Sequence, residues 1–314
     1  MTETTPWDVV IVGGGAAGLS AALILSRARR RVLVLDGGEP RNRFAPHMHG
    51  VLSRDGYSPL DLVADGRREV RAADGVVETA RVAEIARTAD GFALVTDDGA
   101  LIAARRVVVA TGIRDELPDL PGLAEQWGRG VVACPYCDGY ESRGGRIGVL
   151  LGSPLAAFKV QLVRAYSPDV TVLTAFAGEL PADVLEGFAA RGIRVDDRPV
   201  ARVVSDGDAL AGVEFADGSV TAFDTLFADP RMVPLDGLLR QLGAEQSETP
   251  FGAWTVVDAT FQTSVPGLYA VGNIANPAAL VPIASAAGVT AATTINASLV
   301  AEDVAAAVAA TVSA

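Results

Sequence analysis

Cysteine and histidine are almost missing: the 314-residue chain has two of each. So few cysteines exclude a disulfide-stapled scaffold. They leave one donor set for a structural zinc, Cys134, Cys137, His47 and His49. An H-x-H pair does not fit the H-x₃₋₅-H spacing of zinc modules, so no metal is expected. Aromatics are scarce, at 6%, and positive charge is outweighed to a net −12. That acidity argues against nucleic acid or an anionic membrane as a partner. No charged residue occurs from Ala259 to Ala301, yet a membrane span needs about 20 predominantly apolar residues. This stretch is broken by Pro266, Pro277 and Pro282 and is rich in Ala, Ser, Thr, Gly and Asn. It reads as a buried strand, loop and helix. No short repeat is visible. No leader is expected, because Trp7 to Val12 already reads as a core strand. The expected location is cytoplasmic, where thiols stay reduced and a CxxC pair points to working chemistry.

What the chain does have is a repeated α/β pattern. Asp8-Val-Val-Ile-Val-Gly13 is an apolar run of the kind buried on both faces of a parallel sheet. A helix follows over Ala16 to Ser26, then a strand over Arg31 to Asp36. Short alternating segments from about Gly75 to Val109, with turns at Ala89-Asp90-Gly91 and Asp97-Asp98-Gly99, suggest a β-meander. A second βαβ unit starts at Arg146–Gly152, with a helix from about Leu155 to Tyr166 and a strand at Val170–Leu173. Further strands are expected near Ala201–Ser205, Gly212–Phe215, Thr225–Ala228 and Gly267–Gly272, with a closing helix after Pro282. The expected fold is α/β: two Rossmann-like three-layer domains, a discontinuous one over 1–116 and 246–314 and an inserted one over 117–245.

Gly13-Gly14-Gly15-Ala16-Ala17-Gly18 fits GxGxxG between strand and helix. Gly13 would make the tight turn, Gly15 would let a pyrophosphate reach the backbone, and Gly18 would allow close helix packing. The phosphate would sit on free N–H groups at the positive end of the helix. Asp36 ends the second strand, where a carboxylate can take ribose hydroxyls. FAD is favoured over NAD by Val107–Val109 running into Ala110-Thr111-Gly112, a turn that returns the chain toward a cofactor, and by Gly272-Asn273 ahead of the last helix. That helix's N-terminus would stabilise negative charge on a reduced flavin.

Cys134 and Cys137 stand two residues apart in Cys134-Pro135-Tyr136-Cys137. So short a loop removes little unfolded-state entropy, so a purely structural disulfide is disfavoured. A CxxC arrangement lowers a thiol pKa and supports exchange chemistry. Asp138, next in sequence, is placed to shuttle a proton; a turn role before Gly139 is the other reading.

Together these motifs resemble the low-molecular-weight thioredoxin reductase family across essentially the whole chain. The closer resemblance is to a branch of FAD-dependent dithiol oxidases, including those that close the disulfides of gliotoxin and holomycin. It is carried by Pro40–Arg43, Pro46–Gly50 and the Cys-Pro-aromatic-Cys motif. The resemblance implies bound FAD, a homodimer, and a redox CxxC in the second domain. In it Cys137 faces the flavin as the charge-transfer thiolate and Cys134 exchanges with substrate. It also implies a cofactor set of Gly13, Gly15, Ala16, Ala17, Gly18, Asp36, Gly37, Arg41, Asn42, His49, Ala110, Thr111, Gly112, Gly272, Asn273, Ile283 and Ala284. The loop of His47 and His49 would run near the flavin and line the substrate approach; a plain surface loop is the alternative. Two departures stand out. Asp138 occupies the place where the oxidases carry His, and Gly272-Asn273 replaces the usual Gly-Asp.

The second nucleotide motif is degraded. Leu151, Ser153 and Ala156 fall where GxGxxA is required, and Thr174 to Leu180 holds Glu179 but no arginine for a 2′-phosphate. NADPH binding is therefore doubtful. Electrons are expected to run from a small-molecule dithiol, through the cysteines and FAD, to O₂. Two other readings stay open. One is a thioredoxin reductase-type enzyme acting on a small disulfide or thioredoxin-like protein, fed by NAD(P)H or ferredoxin. The other is a flavin-binding regulatory protein without turnover.

Overall fold

A computed structural model describes residues 6–250 and 252–312. The chain opens with β1 (Trp7–Val12), α1 (Ala16–Arg27) and β2 (Val32–Asp36), followed by α2 (Pro59–Ala72). Pro59 begins α2 where its missing N–H costs nothing. Four strands follow: β3 (Val76–Thr79), β4 (Val82–Thr88), β5 (Gly91–Thr96) and β6 (Leu101–Val109). The sheet runs β3-β2-β1-β6-β5-β4. Only β4, β5 and β6 form the antiparallel meander expected from the sequence. β3 instead joins β2 in parallel.

β7 (Ile113–Glu116) leads to α3 (Leu123–Gln126), β8 (Val131–Val132) and α4 (Pro135–Asp138). Then come β9 (Ile147–Leu150), α5 (Ala157–Val163), β10 (Val170–Leu173), α6 (Ala182–Ala190) and β11 (Arg194–Asp196). A three-stranded antiparallel sheet is made by β12 (Val200–Asp206), β13 (Ala209–Phe215) and β14 (Val220–Ala222). β15 (Thr225–Phe227) completes a parallel sheet of order β11-β10-β9-β15-β8. After β16 (Arg231–Pro234) come α7 (Gly237–Gln241), the pair β17 (Gln246–Thr249) and β18 (Gly252–Thr255), β19 (Leu268–Ala270) and α8 (Val281–Val312). β19 pairs in parallel with β6 and so returns to the first sheet.

The chain divides into two units: Met1–Arg41, Leu60–Arg114 and Met232–Ala314 form one, and Asn42–Pro59 with Asp115–Arg231 the other. These bounds differ from the sequence expectation at two places. Residues 232–245 fall in the first unit because Leu238, Leu239 and Ala244 are buried with Leu33, Leu35 and Val107. Residues 42–59 fall in the second because they pack on it closely: a methyl at Gly128 would lie 2.6 Å from the Phe44 carbonyl carbon.

Strand alternation explains both cores. In the first unit Val9, Ile11, Val32, Val34 and Val108 face α1 and α8. Val10, Val12, Leu33, Leu35, Val107 and Val109 face the other way, toward Phe92 and Leu94. Successive residues of a strand point to opposite faces, so near-continuous Val/Leu runs are what a sheet covered on both sides requires. The second unit repeats this, with Ile147, Val149 and Val172 on one face and Leu150, Leu173 and Leu226 on the other.

The uncharged stretch after residue 259 is explained by α8. It buries Ala284, Ala287, Ala291, Ala292, Ile295 and Leu299 against Ala17, Ala21 and Leu25 of α1. A methyl at Gly288 would overlap the carbonyl oxygen of Ala17. Farther along, Asp303 pairs with Arg30 at 2.6 Å and Glu302 with Arg105 at 2.8 Å. By length and composition alone, α8 is long and apolar enough to cross a membrane, the one such helix among the described residues. Gly288→Ala is expected to cost about 2–3 kcal/mol through overpacking, seen as a lower urea midpoint. Ala297→Ser, on the exposed side of the same helix, should leave that midpoint nearly unchanged.

Candidate active site

The first unit builds a dinucleotide cradle at the end of β1. The Gly13 N–H donates to the Leu35 carbonyl at 2.8 Å. Gly13 adopts φ +109, a conformation costly for any side chain, and a Cβ there would overlap the Ala110 carbonyl. A Cβ at Gly18 would overlap the Gly13 carbonyl, so α1 is drawn tight against the turn. Gly15 is different: a methyl there would meet nothing within 4 Å. Its backbone faces open space at the N-terminus of a 12-residue helix that has no side-chain cap and no acidic residue in its first turn. Ala16 and Ala17 keep that first turn small.

Asp36 is buried beneath the cradle. Its carboxylate accepts the Gly38 N–H at 3.2 Å and an ion pair from Arg67 of α2. A carboxylate offers about four acceptor positions, so capacity remains for ribose hydroxyls. Sequence reasoning missed Arg67, whose Nε is buried without a hydrogen-bond partner. Gly37 lies against the Arg81 guanidinium, where a methyl would approach to 3.2 Å. Arg41 is the last residue of the first unit before the chain enters the second.

The remaining cofactor candidates of the first unit converge here in part. The Ala110 N–H donates to Val12 at 2.7 Å, fixing the Ala110-Thr111-Gly112 turn beside Gly13. The Thr111 hydroxyl donates to the Leu235 carbonyl at 2.8 Å. Gly272, at φ +76, sits between Ala17 and Ala284. The Asn273 amide is engaged by its own loop: its Nδ2 donates to the carbonyls of Asn276, Pro277 and Ala279 at 3.0–3.2 Å. Ile283 is half exposed on the first turn of α8, and Ala284 is buried. The open Gly15 backbone, the uncapped α1 and the buried carboxylate fit FAD: the amides of α1 would take the pyrophosphate and Asp36 the ribose.

Asn42 and His49, also expected at the cofactor, belong to the second unit. Asn42 accepts the Ala45 N–H at 3.1 Å and so opens the 42–59 loop. In that loop His47 Nδ1 lies 3.1 Å from the Gly56 carbonyl, and Met48 pairs with Tyr57. His49 lies between two carboxylates, 3.5 Å from Asp55 through Nδ1 and 3.7 Å from Glu141 through Nε2.

The redox pair is held at the start of α4. Cys134 precedes the helix in extended geometry, and Pro135 takes the first helical position. The Cys134 carbonyl accepts the N–H groups of Cys137 and Asp138 at 3.0 and 3.1 Å. That turn brings the cysteine Cα atoms to 5.2 Å, and they are joined as a disulfide. Gly139 is required next, since a methyl would overlap the Tyr166 ring. Tyr136 and Tyr140 stand 64% and 65% exposed on either side.

Asp138 is half-buried beside Cys137, and its pKa is raised to about 6. Burial is the main cause, the negative charge of Glu141 adds to it, and His49 opposes it. Sequence reading did not single out Glu141. An acidic residue three positions after Asp138 and within one helical turn was the available signal.

The second nucleotide motif lacks its first glycine. Leu151 stands where a turn glycine is needed and is fully buried among Val149, Val172 and Phe188. The segment then runs through Ser153 and a 3₁₀ turn at Pro154–Ala156, and α5 begins only at Ala157. Lys159, the one lysine in the sequence, donates to the Ala228 carbonyl and to Asp229, both at 3.1 Å.

Two Rossmann-type units, one with a dinucleotide cradle and one with a paired-cysteine turn, define a flavin-linked thiol–disulfide oxidoreductase. The chain belongs to the pyridine nucleotide-disulphide oxidoreductase family, which matches residues 7–288. Its cofactor is FAD. It is 34% identical to the thioredoxin reductase tcpT of Claviceps purpurea over 288 residues, covering 87% of this chain and 88% of that one. It is 31% identical to the thioredoxin reductase sirT of Leptosphaeria maculans, covering 96% of each. Among solved structures it resembles HlmI at 44% identity and TM-score 0.94, over 99% of this chain and 98% of that one.

The Asp138 carboxyl gives a stability test. Its folded pKa lies above its unfolded value, so ionising it costs the fold stability: nothing below about pH 4, more through pH 4–6, and in full above pH 6. Asp138→Asn removes that cost. After discounting for partial solvent exposure, the variant should gain about 1 kcal/mol at pH 8, roughly 2–4 °C in Tm, and nothing at pH 4. Thermal unfolding of both proteins at the two pH values checks this.

Proposed function

We propose that the enzyme oxidises a small-molecule dithiol to its disulfide, with O₂ as final acceptor. The observation that carries this reading is the degraded second nucleotide motif. Buried Leu151 replaces the turn glycine, and no arginine follows β10, where Thr174–Leu180 contributes only Glu179. The turn therefore lacks the glycine that bends the chain tightly beneath a pyrophosphate, which argues against the ordinary route for hydride from NADPH. The exposed Tyr136 and Tyr140 beside the disulfide suit a compact apolar substrate.

The exchange balances as follows. One substrate thiolate attacks Cys134 Sγ, the Cys134–Cys137 bond breaks, and Cys137 leaves as thiolate. The second substrate thiol attacks the substrate sulfur of the mixed disulfide. The substrate departs as its disulfide, and Cys134 is released. Two electrons now rest on the enzyme dithiol, and Asp138 is the group beside Cys137 that can give and take a proton. Bound FAD supplies the two-electron acceptor through which O₂ becomes H₂O₂.

A homodimer in the cytoplasm belongs to the same proposal, supported by the family likeness and by a cysteine pair suited to exchange chemistry. The second reading is a reductase of a thioredoxin-like protein. The names of tcpT and sirT as thioredoxin reductases favour it, as does Asp138 in place of the oxidases' His. Anaerobic stopped-flow mixing separates the two. Dithiothreitol should bleach the flavin within seconds, and a tenfold excess of NADPH should leave it oxidised for minutes. Bleaching by NADPH at a rate matching turnover would establish the reductase instead.

A further inference from the structure

The loop of residues 42–59 is far from the cysteines in sequence, yet it shares a unit with them and presents one ionisable group to their surroundings. His49 spans Asp55 and Glu141 at 3.5 and 3.7 Å. Asp55 is itself held, accepting the Gly50 N–H at 2.8 Å, so the histidine has a fixed mount. Glu141 follows α4, the short helix that carries Cys137 and Asp138. The Ser142 hydroxyl and N–H both donate to the Asp138 carbonyl, which ties the segment after α4 back onto it.

Glu141 acts on Asp138 as a like charge and His49 as an opposite one. Lys159 is the sole ionisable residue of α5, the helix packed on α4, and its ammonium is committed to Asp229 and Ala228. Arg143 turns back to the Tyr140 carbonyl at 2.7 Å. Tyr166 contributes its ring face beside Gly139. The two charges that act on Asp138, Glu141 and His49, also contact each other.

We propose that His49 is a positioning residue: held between Asp55 and Glu141, it offsets the Glu141 charge and so governs the protonation of Asp138 during thiol–disulfide exchange. In exchange, the substrate's second thiol must lose a proton before it attacks the mixed disulfide, and the Cys134 thiolate it releases can take one up. A carboxyl titrating near neutrality does both, provided the local field keeps it there. This inference rests on the proposed thiol–disulfide chemistry of Cys134 and Cys137, but not on which way the electrons run.

The test uses flavin-loaded enzyme and a readout besides turnover. The carboxylic C=O infrared band of Asp138, identified by its loss in Asp138→Asn, is titrated from pH 4 to pH 9. His49→Gln should move its midpoint up and Glu141→Gln should move it down, each by roughly half a pH unit. His49→Lys places a permanent cation between the same two carboxylates and should hold the midpoint at or below that of the unaltered enzyme. The acidic limb of kcat for dithiothreitol oxidation should move in the same directions. General damage would not move two midpoints oppositely, and retention of flavin absorbance shows that each variant is folded. If the His49→Gln and Glu141→Gln midpoints coincide with the unaltered enzyme, or shift the same way, the proposal is overturned. Cys134→Ser separates this from the functional reading: undiminished turnover in that variant would remove the thiol chemistry itself, whatever the infrared titration gives.

Discussion

Helix α1 has no room around it, and the first unit depends on that. On one side Gly18 lets it touch the Gly13 carbonyl; on the other Gly288 lets α8 touch the Ala17 carbonyl, and Gly272 meets Ala17 itself. These are backbone contacts, so no rotamer change can relieve a larger residue at Gly18 or Gly288. The clamp fixes where the helix begins, and its beginning is where the open Gly15 backbone and the first-turn amides are offered to a phosphate. Close packing of the helix is thus the means by which the binding site is aimed. It also accounts for the alanine-rich, uncharged character of α8, whose buried face consists of Ala284, Ala287, Ala291 and Ala292 before Ile295 and Leu299.

What could be read from the sequence is what local pattern encodes. The Val/Leu runs of β1, β2, β9 and β10 announce strands buried on both faces, and Gly13 to Gly18 announces the turn between strand and helix. The adjacency of Cys134, Cys137 and Asp138 needs no tertiary information. Contacts made by topology could not be read. Arg67 reaches Asp36 across 31 residues because α2 returns over the sheet. His49 reaches Glu141 because residues 42–59 leave the first unit, and nothing in their composition marks that departure. β3 was misread for a related reason. Val76–Thr79 has a strand's composition, but its parallel pairing with β2 follows from α2 acting as a crossover.

The site in the second unit is an exercise in charge placement under partial burial. A half-buried carboxyl with an acid nearby would by itself drift far toward the neutral form. The histidine between Asp55 and Glu141 counters that drift at no cost in apolar burial, because all three side chains keep solvent contact. Burial therefore supplies most of the shift and charge supplies the adjustment. The chain carries this adjustment on a loop, where its residues can change without disturbing the sheets.

The two Rossmann-type units then differ in one respect that matters for chemistry. Both bury two-faced parallel strands, and both turn from the first strand into a helix. In the first, the residues at that turn are glycines whose missing side chains leave Gly15 open. In the second, Leu151 points into the core between Val149 and Phe188 and earns stability there through apolar contact. Lys159 is likewise engaged by the protein: its ammonium bonds Ala228 and Asp229, just beyond the inner strand β15. With Leu151 and Lys159 committed to the protein, this unit holds α5 against α4, and hence holds the turn that carries Cys134 and Cys137.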